Sequence, residues 1–122
     1  MKNLTINVGD YAKSYDGHIA RCKRFYSYDN FIYFDKDIID TCCEPTNYFD
    51  KKDIKKYIKV VSPNIIDLIE VGDYVNGCIV INKKNDTIQI IQLIIPFDLK
   101  EKDIKSIVTK EQFKNMEYKI EN

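Results

Sequence analysis

The sequence predicts a mostly β protein made of two copies of one small module. Three observations carry that prediction. Val8-Gly9-Asp10-Tyr11 returns as Val71-Gly72-Asp73-Tyr74, each behind an Ile-X pair (Ile6-Asn7 and Ile69-Glu70). Each copy continues into a glycine that opens an apolar alternation, Gly17-His18-Ile19-Ala20 and Gly77-Cys78-Ile79-Val80. Each also closes alike, with Phe49-Asp50 leading to Lys52-Asp53-Ile54-Lys55, and Phe97-Asp98 leading to Lys102-Asp103-Ile104-Lys105. The segments between are crowded with β-branched and aromatic residues, as a half-buried pleated surface prefers.

Taken in order, Val8 to Tyr11 is a short strand, and His18 to Tyr26 a longer alternating one. Tyr28-Asp29-Asn30 is the hairpin tip, because Asp and Asn tolerate the left-handed backbone of tight turns. Phe31 to Phe34 returns as a strand. Lys-Asp-Ile-Lys at 52–55 is too short for an independent helix and reads as a tight turn before the strand Tyr57 to Val61. Ser62-Pro63-Asn64 breaks the pattern, since Pro63 disfavours helix at Ser62. The first module is therefore 1–62 and the second 63–122, with Ile65-Ile66-Asp67-Leu68 leading into the second copy. There the plan repeats: Val71 to Val75, Gly77 to Asn82, a turn at Lys83-Lys84-Asn85-Asp86, Thr87 to Ile95, and a last strand Ser106 to Thr109. Thr109 and Gln112 form a capping box that starts a short C-terminal helix, with Phe113 and Met116 inward and a strand at Glu117 to Ile120. A single helix over 99–118 is the rival reading of this end.

Composition narrows the function classes. Hydrophobic residues make up 44% and charged residues 31% of 122 residues, enough for a core and a soluble surface. The formal net charge of zero removes the whole-molecule field that general nucleic-acid binders use. No signal peptide or bilayer-long apolar run is evident, so a bacterial cytoplasm, reduced cysteines and no membrane contact are expected.

Short strand, hairpin, strand, tight turn and strand is the plan of a small SH3-like barrel, and the chain resembles a tandem of two, although a single composite barrel accounts for the repeat as well. The stretch from Val61 to Gly77, with Ile104 to Phe113, is similar to small, mostly uncharacterised proteins of Firmicutes phages and prophages. The resemblance implies a phage accessory setting and transfers no catalytic motif.

The candidate site is a basic-aromatic run: Lys13, Tyr15, Arg21, Lys23, Arg24, Tyr26, Tyr28 and Tyr33, with His18, Phe25 and Phe31 interleaved. Tyr and Arg are favoured anchors of protein interfaces. Bases also stack on aromatic rings while cations meet phosphates. The bland alternative is that the rings fill the core and the cations are a solvated face. Asp29, Asp35, Asp37, Asp40, Glu44, Asp50 and Asp53 follow closely, and this acidity favours a protein partner. Cys42-Cys43 sits in an insertion (Asp40 to Tyr48) that the second copy lacks. With Cys22 and His18 it is a poor zinc set, because adjacent cysteines rarely chelate one metal; no metal or cofactor is expected. Cys22 lies between Arg21 and Lys23, where nearby positive charge is expected to lower the thiol pKa and make it reactive.

No phosphate loop, dinucleotide fingerprint or triad surrounds the single histidine, His18. Asp10 and Asp73 recur because Asp fixes the turn by accepting backbone N–H groups. The expected function is non-enzymatic: an accessory protein docking on a host or phage protein, in its sharpest form blocking a defence nucleoprotein such as a CRISPR effector. A small-barrel nucleic-acid binder using Arg21, Lys23 and Arg24 is the alternative, and a virion structural component the second. Oligomeric state is left open.

Overall fold

The computed structural model describes residues 4–25, 30–40 and 45–116. The fold is mostly β, and the chain divides into two compact units, Met1–Leu68 and Ile69–Asn122. The sequence boundary at 62/63 thus precedes the unit boundary by one short element, the 3-10 turn Ile65–Leu68. That turn belongs to the first unit. Asn64 starts it by accepting the Ile66 N–H at 3.0 Å, and Ile65, Ile66 and Leu68 are buried.

The first unit contains β1 (Tyr11–Ser14), β2 (Ile19–Phe25), β3 (Phe31–Phe34), β4 (Ile39–Asp40), β5 (Pro45–Thr46), β6 (Tyr48–Asp50) and β7 (Ile58–Ser62). A 3-10 turn, Lys51–Asp53, and a one-turn helix α1, Ile54–Tyr57, precede β7. The antiparallel sheet has the order β6-β3-β2-β1-β7, and β4 pairs with β5 apart from it. Alternation sends Ala20 and Cys22 of β2, and Ile32 and Phe34 of β3, into one core. There they meet Ala12, Ile38, Ile39, Phe49 and Ile58, with the Phe34 and Phe49 rings stacked at 5.6 Å.

The second unit contains β8 (Tyr74–Val75), β9 (Cys78–Lys83), β10 (Thr87–Gln92), β11 (Ile95–Lys100) and β12 (Ile107–Val108). A 3-10 turn, Glu101–Asp103, precedes β12, and α2 (Lys110–Met116) follows. Its order, β11-β10-β9-β8-β12, is that of the first sheet strand for strand. Both sheets are open among the described residues, with β6 and β7 outermost in one and β11 and β12 in the other.

The repeated Gly-Asp corner has the same hydrogen bonds in both units. Gly9 and Gly72 sit at φ +97 and +100, a conformation L side chains rarely adopt. Their amides donate to the Cys22 and Val80 carbonyls, each at 2.9 Å. Asp10 Oδ2 accepts from the Asn7 amide at 2.9 Å, and Asp73 Oδ2 from the Glu70 amide at 2.8 Å. The Cys22 and Val80 amides donate in turn to the Asp10 and Asp73 carbonyls. The carboxylates therefore hold the corner, for the reason their recurrence suggests.

Each unit also carries a β-bulge at the matching place. Between β2 and β3 the register runs from Cys22↔Phe34 to Arg24↔Tyr33, skipping Lys23. Between β9 and β10 it runs from Val80↔Ile90 to Asn82↔Gln89, skipping Ile81. An extra residue reverses the in-out phase, so Arg24 faces outward beside Tyr33 while Phe25 pairs with Ile32 inside.

The register corrects two sequence readings. Cys22 matches Val80, so Ala20 matches Cys78, and the Gly17 and Gly77 runs are not equivalent. The first unit turns through Tyr15 to His18, whereas the second turns on Asn76-Gly77 alone, both at positive φ (52 and 82). Two such residues are what a type I′ hairpin requires. The strand expected over Thr87 to Ile95 is in fact broken by a hairpin at Leu93-Ile94. Leu93 has φ +60 and is 90% exposed; Ile94 is 91% exposed. A left-handed Leu costs roughly 1–2 kcal/mol. Leu93→Asn should accordingly raise stability by up to about 1 kcal/mol in denaturant melts, since Asn tolerates that conformation.

At the C-terminal end the capping box forms: the Thr109 amide donates to Gln112 Oε1 at 2.9 Å, and the Gln112 amide to Thr109 Oγ1 at 3.3 Å. The helix starts there, while 99–108 is strand, 3-10 turn and strand, which removes the single-helix reading. Phe113 is not inward as expected. It is 43% exposed and leans on Tyr74, ring centroids 4.6 Å apart. The Met116 side chain, the strand expected at Glu117 to Ile120, and most of the hairpin tip at Tyr28-Asp29 lie outside the described residues.

Candidate binding surface

The outward face of β3 and β6 carries an aromatic shelf. Alternation on β3 turns Phe31 and Tyr33 away from Ile32 and Phe34, and β6 likewise turns Tyr48 away from Phe49. Tyr33 stands opposite Tyr48 across the strands. Their rings stack at 5.6 Å and 27°, and Phe31 joins at 5.6 Å from Tyr48 and 6.5 Å from Tyr33. Arg24, outward because of the bulge, holds its guanidinium 5.8 Å from the Tyr33 ring. Asp50 stands opposite Phe31 at the other border, where its Oδ1 accepts the Lys52 amide at 3.0 Å. An aromatic patch is thus bordered by one cation and one anion, at the β6 edge of the sheet.

The residues singled out from sequence are only partly brought together here. Arg24 and Tyr33 belong to the shelf. Lys23 is exposed at the bulge, and Tyr15 is 59% exposed in the β1–β2 turn. Arg21 has structural work: its Nε donates to the Gly9 carbonyl at 3.0 Å, and its guanidinium lies 5.4 Å from the Tyr11 ring. Its amide donates to Asp35 Oδ1 at 2.9 Å. Lys13 is fully buried and withdrawn from any surface partner. It lies on β1, between β2 and β7, where Ala12, Lys13 and Ser14 are all covered, so alternation no longer marks an outer face. Tyr26 and Tyr28 lie outside the described residues. Phe31, interleaved in the basic-aromatic run, joins the shelf by its alternation with Tyr33, and Tyr48 is the addition. Tyr48 reaches the shelf through a pairing of distant strands that local sequence does not encode.

Cys22 corrects a further expectation. Its thiol points into the core while Arg21 and Lys23 point out, and its pKa is raised from the ordinary 9.0. Burial is the main cause and the Asp10 carboxylate adds to it; the Arg24 backbone hydrogen bond and Lys51 oppose them less strongly. A thiol that holds its proton more tightly when folded contributes full stability below the unfolded pKa, and loses it as pH rises through the folded value. Unit 1 should therefore lose stability above about pH 9. In native protein, site-mapped alkylation of Cys22 should be far slower than that of half-buried Cys78. Equal rates would contradict its burial.

Among the described residues no group of three or more His, Cys, Asp or Glu side chains stands close enough to hold a metal ion. Cys42 and Cys43, the doubtful zinc pair, lie outside them. Among the described residues no helix is long and apolar enough to cross a membrane. No family model, curated protein or solved structure matches the chain.

Proposed function

We propose that this is a non-enzymatic binding protein that docks on another protein through the aromatic shelf of its first unit. The observation that carries the reading is the stacked Tyr33–Tyr48 pair with Phe31 against it, on an outward sheet face. Aromatic rings with an Arg at their border are the usual anchors of protein interfaces. The mixed border supports a protein over a nucleic acid: Arg24 suits a phosphate, but Asp50 on the same face repels one.

The scaffold is, in this reading, a duplicated SH3-like module. Equal strand order, paired Gly-Asp corners and paired bulges support the duplication. The shelf is what the first copy adds, because Tyr33 and Phe31 match Gln89 and Thr87 in the second. The phage accessory setting, the host cytoplasm and the blocking of a defence nucleoprotein such as a CRISPR effector rest on the resemblance of the second half to phage proteins.

The test is affinity capture from lysate of a Firmicutes host, with and without nuclease. A stoichiometric protein that survives nuclease supports the reading and names the pathway. Loss of all bound material with nuclease would replace it with nucleic-acid binding, and recovery of the bait alone would favour a virion component.

A further inference from the structure

We propose that β11 pairs with β11 of a second copy, joining two chains through the edge of the second unit. β11 is an outermost strand of six residues, bonded to β10 alone among the described residues. Gln92↔Ile95 closes the two-residue hairpin, so the pairs beyond it alternate. Ile95, Phe97 and Leu99 turn their backbone groups to β10, while Pro96, Asp98 and Lys100 turn theirs to the open edge. Two observations agree with that parity. Pro96, which has no N–H to give, falls at an outward position where it costs β10 nothing. The Lys100 amide, also outward, donates to Asp103 Oδ2 at 3.1 Å.

A two-fold axis allows few registers between such edges. Centred on Asp98 it opposes two carboxylates, and centred on Lys100 two ammonium groups. Centred on Phe97 it sets Asp98 against Pro96, which offers the carboxylate no opposite charge. Centred on Leu99 it sets Asp98 of each chain opposite Lys100 of the other, with both side chains exposed and on one face. The charges are then complementary twice over. The Asp98 amide of each chain donates to the Lys100 carbonyl of the other, and each Lys100 amide stays with its own Asp103. On the opposite face Leu99 meets its copy. Phe97, 44% exposed in the single chain, lies diagonal to the second Leu99, within aromatic reach. An isologous contact of this kind closes at two chains.

Sedimentation of the full chain over a wide concentration range, up to the millimolar, tests this. The wild type should show a reversible monomer–dimer equilibrium. Asp98→Lys or Lys100→Asp alone opposes like charges twice and should weaken the dimer by about tenfold or more. The double exchange restores the complementarity and should bring the dimer back to near wild-type strength. These side chains are exposed, so circular dichroism should report unchanged folds. A chain monomeric throughout, single variants that dimerise as wild type does, a double variant that fails to recover, or assemblies larger than two would each overturn the proposal.

Discussion

Asp73→Ala is expected to destabilise the second unit by about 3 kcal/mol, while Asp10→Ala in the first costs about 1. The two residues occupy one position of the repeated corner, yet their surroundings differ. Asp73 is fully buried, and each of its oxygens is used: Oδ2 accepts the Glu70 amide and Oδ1 the Lys110 amide at 2.9 Å. It thereby ties the corner to the first residue of α2. Removing a buried charged acceptor leaves its donors without partners, at a cost of about 1.5–3 kcal/mol per bond, and such losses do not simply add. Among the described residues Asp10 Oδ2 holds the exposed Asn7 amide alone, which water can take over. The Glu70–Lys110 ion pair at 2.6 Å does not compensate, because both side chains are partly exposed and such pairs are worth little. That pairing raises the Lys110 pKa, so the ammonium's share is present at neutral pH and is lost as pH rises through its folded value. Chemical denaturation of both variants, read by circular dichroism, measures the difference; equal losses would contradict the distinct roles.

Tyr33→Ala/Tyr48→Ala is expected to weaken partner binding about 100-fold or more while leaving unit 1 folded. Truncating central aromatic anchors typically removes at least about 2 kcal/mol of binding. The cost to the fold is smaller. The stacked pair lies on the outward face, and an aromatic pair adds about 0.5–1.5 kcal/mol beyond its buried area. The core rings Phe34 and Phe49 are on the opposite face and remain stacked.

The features legible in the sequence are those encoded within a few residues. Val-Gly-Asp-Tyr marks a corner because Gly supplies the positive φ and Asp the acceptor, both local demands. Thr109 and Gln112 mark a helix start for the same reason, and Phe31-Ile32-Tyr33-Phe34 displays its two faces openly. What escaped depends on partners distant in sequence. Lys13 reads as a surface cation beyond a short strand at Val8 to Tyr11. Val8-Gly9 is instead the turn, and the strand runs from Tyr11 to Ser14, where β7 and β2 flank it and residues 12 to 14 are covered. The hairpin at Leu93-Ile94 contains no Gly, Pro, Asn or Asp, so nothing local announces a turn. The bulge at Lys23 changes which side Arg24 takes, and only the pairing with β3 reveals it. Three of the four shelf residues were therefore visible, Arg24, Phe31 and Tyr33 in the basic-aromatic run, with Tyr48 delivered by β6.

The most direct test of protein docking through the shelf is a calorimetric titration of the captured partner, free of nucleic acid, into wild type and into Tyr33→Ala/Tyr48→Ala. A saturable isotherm with the wild type, and loss of about two decades or more of affinity in the double variant, is the result the account predicts. Equal affinity for both proteins, with the variant's fold intact, would contradict it.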